Sequence, residues 1–462
     1  MIRTAALFAA LLFAPAAMAT EPAPLPAKIE KAVARLQTKA AKDDRALAIV
    51  TDLVNNVGPR QAATEAEERA RAWAVDRLTK LGFKNVRIEP FTMTAWRRVK
   101  DEAQIIAPTA MPLTARALGY SPSTPAGGVE AEIARFTSIE ALKAAPDETV
   151  RGRIVFVDER MERTPTGIGY AAAQIKRREC GPATALKGGL ACLIRTVGTT
   201  DRFVNTGMMS RGGLMGALPA AALSNEESDK LAGLLAAGPV RVRLDIQTET
   251  IKDAVSGNVV ADLPGREKPE EIVALGAHLD SWDITPGAQD DGAGVAVIMA
   301  AGKLIEQLPR NPKRTIRLIL FGAEEQGLLG AQAYVKTNKD DLAHHVLAFE
   351  PDSGAGAVRA FSTKFPPEAL TYGAAMRRAI GETDGDNTAR GSSDVSVLAA
   401  AGVPVVDILV DMSRYFDIHH TREDTIDRID PANLRDQTSA YATIAYIAAE
   451  SDWSFRPKPA AQ

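Results

Sequence analysis

Five short runs of almost entirely apolar residues constrain the fold of this chain more than any other feature. They cover residues 259–263, 271–277, 315–321, 346–349 and 403–410. Strands that are apolar throughout, rather than at every second position, are typical of sheets buried on both faces. Segments with helical periodicity separate the runs, most clearly 294–308 and 369–380. The predicted fold class is therefore α/β, with a mostly parallel sheet sandwiched by helices.

The first part of the chain carries a helix signal followed by a strand signal. Apolar residues recur at helical spacing from 65 to 81, and Gly82 follows as a C-cap residue. Residues 84–91 then alternate as a strand does. Both elements precede the apolar runs and are expected to join the same domain.

A change of amino-acid composition near residue 108 indicates a second structural unit. From there to about residue 242 the chain is rich in proline, glycine and small residues, with short strand patterns and one helical run over 170–180. At 462 residues the chain is too long for one ordinary core. The sequence therefore predicts a separate, smaller α/β insert.

Residues 1–19 have the features of an export signal. Arg3 supplies the positive start, residues 5–14 are apolar, and Ala17-Met18-Ala19 is a small-x-small cleavage motif. The apolar stretch is too short to cross a bilayer, and no cysteine lies near the cut. We expect cleavage near Ala19–Thr20, a secreted or periplasmic protein, and no membrane anchor.

Composition argues against some functions and does not decide whether the cysteines form a disulfide. The chain is 46% hydrophobic and 24% charged, with a formal net charge of -3, which is typical of a globular protein and argues against nucleic-acid or membrane-surface binding. Cys180 and Cys192 are the only cysteines. Their spacing suits a local disulfide but does not require one, so their pairing stays open.

Ligand-type residues follow the ends of four of the apolar runs. They are His278-Leu279-Asp280, Glu324-Glu325, Glu350-Pro351-Asp352 and His419-His420. In open α/β sheets, sites form at the carboxyl ends of strands. Histidine is scarce, with five in the chain and none before His278, so the combination predicts a site although each motif alone is weak.

Two other groups of such residues have simpler interpretations. Asp290-Asp291 lies just before a predicted helix, and a carboxylate there could simply cap that helix. His344 and His345 stand beside a strand start, and we interpret both as surface residues.

Two histidines with three carboxylates are a suitable donor set for two divalent ions. They provide one imidazole and one carboxylate for each ion, and one carboxylate to bridge them. A further carboxylate beside the metal would serve as general base.

These motifs resemble the co-catalytic zinc exopeptidases of metallopeptidase clan MH, in the M28 family, over nearly the whole mature chain. The resemblance implies two zinc ions per chain, and as metal ligands His278, Asp290, Glu325, Asp352 and His420. It implies that Glu324 is the general base and that Asp280 orients the His278 imidazole. It also places Asp291 across a cis peptide from Asp290, and an acid at Asp424, four residues after the last ligand.

The insert resembles the protease-associated domain that some of these enzymes carry. Its segments Arg151-Gly-Arg-Ile-Val-Phe-Val, Thr206-Gly-Met-Met and Pro219-Ala-Ala-Ala-Leu-Ser are most similar to the carboxypeptidase members that have this insert, and so is the His419-His420 pair. The implied domains are a protease-associated insert at 113–243, and a catalytic domain formed by 25–112 and 244–456.

The implied activity is hydrolysis of terminal peptide bonds in short peptides or dipeptides. Carboxypeptidase or dipeptidase action is favoured, and aminopeptidase action remains a close alternative. A one-zinc glutaminyl cyclase and a receptor-like binding protein without activity are the other candidates, and the complete donor set and the insert argue against them. Side-chain preference, physiological metal and oligomeric state, a homodimer included, stay open.

Overall fold

The computed structural model describes residues 21–209 and 216–457. The predicted export signal at 1–19, with its cleavage point at Ala19–Thr20, lies outside the described residues. In chain order the strands are β1 Lys84–Ala107, β2 Met111–Leu113, β3 Ala115–Ala117, β4 Val129–Phe136, β5 Ile154–Val157, β6 Ala191–Arg195, β7 Ala220–Leu223, β8 Arg241–Leu263, β9 Lys268–His278, β10 Arg314–Phe321, β11 His345–Phe349, β12 Val358–Thr363 and β13 Val406–Val410.

Helices alternate with these strands. In chain order they are α1 Ala27–Ala40, α2 Arg45–Asn56, α3 Glu65–Leu81, α4 Ile139–Ala144, α5 Ile168–Leu186, α6 Asn225–Ala237, α7 Ala293–Glu306, α8 Leu329–Thr337, α9 Leu370–Ala379, α10 Val395–Ala400 and α11 Pro431–Glu450. None of the helices in 21–209 and 216–457 is both long and apolar enough to span a bilayer.

Helix α3 has the bounds that the sequence predicts, and its ends show why. The Thr64 hydroxyl accepts a hydrogen bond from the Glu67 amide at 3.3 Å. At the other end Gly82 takes a left-handed conformation with φ 96°, which glycine adopts without steric cost. The strand predicted at 84–91 is also present, but β1 continues sixteen residues further, to Ala107.

The predicted parallel sheet is confirmed in its central strands. β9 pairs in parallel with β10 on one side and with β11 on the other. Alternate residues of β9 enter two hydrophobic cores: Val273 and Leu275 pack with α7 and α11, whereas Ile272 and Ala274 pack on the opposite face with Tyr334 of α8. Burial on both faces is why these strands are apolar throughout.

The last apolar run departs from the prediction. Within 403–410 only Val405 bridges to β11, through Ala348, and β13 pairs antiparallel with β12 in a separate two-stranded sheet. Pro404 has no amide hydrogen to donate to a strand ladder, so the run leaves the main sheet at this point. Its first residues still pack into the core beside β11, which explains their apolar character.

A long antiparallel ribbon of β1 and β8 joins the parallel strands to the region predicted as an insert. β8 pairs with β10 near Leu263, with β1 along nearly its whole length, and with β4 near Arg241. One sheet of eleven strands results, in the order β11-β9-β10-β8-β4-β5-β6-β7-β3, with β1 beside β8 and β2 beside β1.

The far end of this sheet is a smaller α/β unit. β4, β5, β6 and β7 run in parallel, and α4, α5 and α6 cover them. Its apolar side chains form two cores distinct from those around β9, and Tyr415 and Phe416 from the loop after β13 pack into one of them. Cys180 of α5 and Cys192 of β6 form a disulfide with Cα atoms 6.1 Å apart, which settles the pairing that the sequence left open.

Candidate active site

Three neighbouring strands bring ligand-type residues to one edge of the sheet. β9 ends at His278, β10 is followed by Glu324 and Glu325, and β11 is followed by Asp352. Because β11, β9 and β10 are adjacent and parallel, their carboxyl ends lie side by side, as the sequence predicts. His419 and His420 reach the same edge from the loop after β13.

Asp290 lies at the centre of the cluster and faces two sets of groups. Its Oδ1 atom is 3.2 Å from Nε2 of His278, which is itself 3.7 Å from Oδ1 of Asp352. Its Oδ2 atom is 3.1 Å from Nε2 of His420, which is 2.9 Å from Oε2 of Glu325. One carboxylate is therefore shared by two separate groups of donors.

The two aspartates at 290 and 291 have different roles in the geometry. Asp291 Oδ1 accepts from the Gly294 amide at 3.1 Å, so this residue caps the start of α7. Its Oδ2 accepts from the His278 amide at 3.1 Å, which ties β9 to the loop. Asp290, joined to it by a cis peptide bond as the resemblance implies, points into the cluster instead.

Asp424 holds the Asp290 loop from the other side. Its two carboxylate oxygens accept hydrogen bonds from the amides of Gln289, at 2.8 Å, and of Asp290, at 3.1 Å. Burial raises the pKa of Asp424 to about 7, and the nearby charge of Asp290 acts in the same direction. The acid four residues after His420 thus positions the shared carboxylate.

The orientation of the His278 ring follows from its hydrogen bonds. Nδ1 lies 3.0 Å from the main-chain oxygen of Asp280, which can only accept, so Nδ1 carries the hydrogen and Nε2 is left as a donor atom for a metal. The Asp280 carboxylate is further from Nδ1, at 3.8 Å, and accepts from the Glu324 amide at 3.0 Å. Asp280 therefore contacts the imidazole chiefly through its main-chain oxygen, whereas the resemblance implies a contact through its carboxylate.

Glu324 and Glu325 begin a turn, closed by hydrogen bonds from the Gly327 and Leu328 amides to the Glu324 main-chain oxygen, and their side chains have different surroundings. Glu325 is buried and directed at His420. Glu324 is partly exposed, lines the cavity beside the cluster, and accepts a hydrogen bond from the Ser393 hydroxyl. Ala323, with φ 56°, makes the left-handed turn that separates the pair from β10.

Unpaired oxygens show that the cluster fits cations. Asp290 Oδ2 and Glu325 Oε1 are buried and accept no hydrogen bond from any part of the chain that the structure describes. Buried carboxylate oxygens are normally satisfied, and a divalent ion satisfies them. Burial, with Glu324 adding to it, raises the pKa of Asp352 to about 7, although His278 opposes the shift. Two sets of donor atoms are close enough to hold an ion: His278 with Asp290 and Asp352, and Asp290 with His419 and His420.

The sequence analysis named His419 as part of the histidine pair but gave it no role, and it missed Arg60. His419 stacks on His420 with ring centroids 3.6 Å apart, and its Nε2 lies 3.4 Å from Asp290 Oδ2. Arg60 is fully buried and donates to the carbonyl groups of Leu279, Pro286 and Gly287, which pins the two loops that carry His278 and Asp290. Nothing in the local sequence distinguishes this arginine from others.

The surface interpretation holds for His344 but is wrong for His345. His345 is fully buried, with Nε2 2.9 Å from the Tyr334 hydroxyl and Nδ1 2.9 Å from the Asp341 main-chain oxygen. Burial lowers its pKa to about 4, so the ring is neutral. Both nitrogens are used in packing β11 against α8, away from the cluster.

A cavity of about 630 Å³ opens beside the cluster. Its acidic wall comes from the sheet edge and includes Asp290, Glu324 and Asp352. Another part of its lining comes from the smaller α/β unit and includes Arg177 and Arg178 of α5. This volume is typical of a site for a small molecule or a short peptide.

Imidazole and carboxylate donors at the carboxyl edge of an α/β sheet, beside such a cavity, define a metal-dependent hydrolase. The model of peptidase family M28 matches residues 258–445. Carboxypeptidase Q of Bos taurus is 30% identical over 441 residues, which cover 91% of this chain and 89% of that protein. The chain therefore belongs to peptidase family M28 and is a zinc metallopeptidase that acts on peptides, as the sequence predicts.

Other similar proteins also match most of the chain. Human carboxypeptidase Q is 29% identical over 442 residues, covering 92% of this chain and 89% of that protein. The crystal structure of a peptidase M28 precursor from Shewanella amazonensis SB2B is 40% identical, with a TM-score of 0.90 and coverage of 94% of this chain and 99% of that one. A zinc aminopeptidase from Bacillus subtilis, at 20% identity and TM-score 0.67 over 89% of this chain and 96% of its own, shares the fold.

Proposed function

We propose that this protein is a two-zinc exopeptidase that removes residues from the ends of short peptides. The observation that carries the proposal is the position of Asp290, whose two oxygens face two different donor groups. A single ion needs no carboxylate shared in this way. The arrangement supports a pair of ions bridged by Asp290, and it disfavours the one-zinc glutaminyl cyclase.

Each ion would have its own set of ligands, as the sequence predicts. His278, Asp290 and Asp352 would hold the first zinc ion. Asp290, Glu325 and His420 would hold the second, because the His420 imidazole lies against both carboxylates, and His419 lies beside this second set. Three protein ligands for each ion leave a position for water or substrate, as in catalytic rather than structural zinc sites. When bound, zinc supplies a Lewis acid that polarises a carbonyl oxygen and lowers the pKa of water.

Glu324 is the residue suited to move the proton. It lines the cavity next to the donor groups but is not directed at either histidine of the two groups, so its carboxylate remains available to a water molecule. It would take a proton from the attacking water and deliver it to the amine nitrogen that leaves when the C–N bond breaks. The Ser393 hydroxyl and the Asp280 carboxylate, through the Glu324 amide, hold this residue in place.

Carboxypeptidase or dipeptidase action is the specificity that we propose. In sequence, the carboxypeptidases Q of human and Bos taurus align with more than nine-tenths of the chain. Leucine aminopeptidase 2 of Arthroderma otae aligns in sequence with 59% of the chain, at 28% identity, although aminopeptidase structures share the fold over a longer part. The complete donor set and the accessible Glu324 support an active enzyme rather than a receptor-like protein.

Metal content tests the proposal directly. The purified mature protein should hold two zinc ions per chain by atomic emission spectrometry, and a chelator should abolish dipeptide hydrolysis. Activity should return on titration with zinc, because the folded donor groups are preformed. A folded preparation that saturates at one ion and is fully active would overturn the two-zinc assignment.

The separate cores of the far end of the sheet support the division into domains. We propose that residues 113–243 form a protease-associated insert, and that residues 25–112 and 244–456 form the catalytic domain. The β1–β8 ribbon would then be the connection through which the chain enters and leaves the insert.

Export is part of the same proposal. The 1–19 signal predicts a secreted or periplasmic enzyme, and a disulfide between Cys180 and Cys192 is the kind of bond that persists in such compartments. Expressed with its full N-terminus in a bacterial host, the protein should be recovered outside the cytoplasm. Its first residue by intact-mass spectrometry should be near Thr20; a cytoplasmic protein that retains Met1 would contradict export.

A further inference from the structure

One face of helix α5 forms the cationic wall of the cavity. Tyr170, Gln174, Arg177 and Arg178 stand at positions i, i+4, i+7 and i+8, which share one side of a helix, and all four line the cavity. The carboxylates of the sheet edge line the same cavity. A substrate in the cavity would therefore be within reach of both the proposed metal site and two arginines.

Arg177 is a buried charge with neutral partners. Its side chain donates to the Tyr170 hydroxyl at 3.0 Å and to the Thr206 main-chain oxygen at 3.4 Å, and its Nε has no partner within 21–209 and 216–457. The residue is only 5% exposed. A buried cation without an anionic partner is costly unless a ligand supplies the anion.

Gly207 shows how close this charge is to the donor groups. A Cβ atom at Gly207 would overlap the Arg177 guanidinium and lie 3.0 Å from Nδ1 of His420. The backbone there has φ 136°, a conformation that glycine adopts readily. The lack of a side chain lets the guanidinium approach the edge of the proposed metal site.

We propose that Arg177 and Arg178 bind the free C-terminal carboxylate of the substrate. This inference rests on the proposed function and adds the group by which the substrate is selected. A guanidinium matches a carboxylate in shape and binds it through two parallel hydrogen bonds. With the scissile carbonyl at the sheet edge, the carboxylate bound at α5 would be that of the residue that follows the cleaved bond.

The same dipeptide as a free acid and as its C-terminal amide tests this inference on the zinc-loaded enzyme. The measured quantity is the ratio of kcat/KM for the free acid to that for the amide. We expect the unaltered enzyme to favour the acid, and Arg178→Gln to lower the ratio by about 10- to 100-fold, chiefly through KM. Arg178→Lys should keep part of the preference, because it retains the charge without the planar fork.

A matched control and a second variant guard against trivial loss of folding. Arg151→Gln removes an exposed arginine of the same unit that does not line the cavity, and it should leave the ratio unchanged. Arg177→Lys probes the buried position with its charge kept, and it should also lower the ratio. Zinc content and melting temperature are measured for each variant. A further substrate is a C-terminal amide whose last residue is glutamate, which has an acidic side chain but no free main-chain carboxylate. It distinguishes binding of the main-chain carboxylate from binding of an acidic side chain.

Three outcomes would overturn the inference. The unaltered enzyme could cleave the acid and the amide equally well, or Arg178→Gln could leave the acid-to-amide ratio unchanged. In the third, an amide that ends in a glutamyl residue would be cleaved as well as the free acid. If the unaltered enzyme hydrolysed neither substrate, the proposed function would be contradicted instead. The failure of this inference and the failure of the proposed function are therefore distinguishable.

Discussion

Replacing Glu324 by glutamine is expected to lower kcat by about 10²- to 10⁴-fold while the bound zinc is retained. Glutamine keeps the shape and the contact with the Ser393 hydroxyl but removes the basic oxygen. Because Glu324 lines the cavity and Glu325 is the residue directed at His420, the loss should be in proton transfer rather than in metal binding. KM should change little.

Glu325→Gln is the matched comparison, since it makes the same change one residue along the chain. Its carboxylate lies 2.9 Å from Nε2 of His420, so the variant should need more zinc for half-maximal activity. Single-turnover kinetics and zinc titration of both variants decide the assignment. If Glu324→Gln lost zinc and Glu325→Gln kept zinc without activity, the two roles would be reversed.

The variant Asp290→Asn is expected to have the largest effect on metal content. Asp290 is the only carboxylate in both donor groups of the described chain, and asparagine offers one neutral oxygen in place of two charged ones. Loss of a partner that merely orients a ligand typically costs 10- to 100-fold in metal affinity, so loss of the shared ligand should cost more than about 100-fold. Both ions should be weakened together.

Zinc content after dialysis and dipeptide hydrolysis measure this effect. Asp340→Asn makes the same chemical change at an exposed residue that does not line the cavity, and it should alter neither. Circular dichroism confirms that the fold of each variant is intact. A variant Asp290→Asn that kept two ions at unchanged affinity would show that Asp290 does not bridge the site.

The local elements were predictable because their signals are local. Helix α3 has a capping threonine and a terminal glycine, and β10 ends in the apolar run at residues 318–321, so both follow from short stretches of sequence. The continuity of the sheet was not predictable in this way. It depends on β1 pairing with β8, strands separated by the whole smaller unit, and no short pattern encodes that partnership.

The residues of the proposed site also differ in whether local sequence could predict them. His278, Glu325 and Asp352 follow strand ends, and their convergence follows from the parallel arrangement of β9, β10 and β11. Arg60 and the arginines of α5 come from other elements, and their contribution depends on tertiary packing alone. His345 was misread for a related reason: its partner Tyr334 lies on α8, and only packing reveals that the ring is buried.

The β1–β8 ribbon has a consequence for which peptides can enter. Two strands of more than twenty residues each, hydrogen-bonded along their length, join the sheet edge to the unit that carries α5, and β4 extends the same sheet. Four register shifts interrupt the ladder, but the strands stay paired between them, so bending the ribbon would break many backbone hydrogen bonds. We expect the ribbon to limit movement between the two parts of the chain that line the cavity, so that an extended chain end would fit there and a folded protein would not.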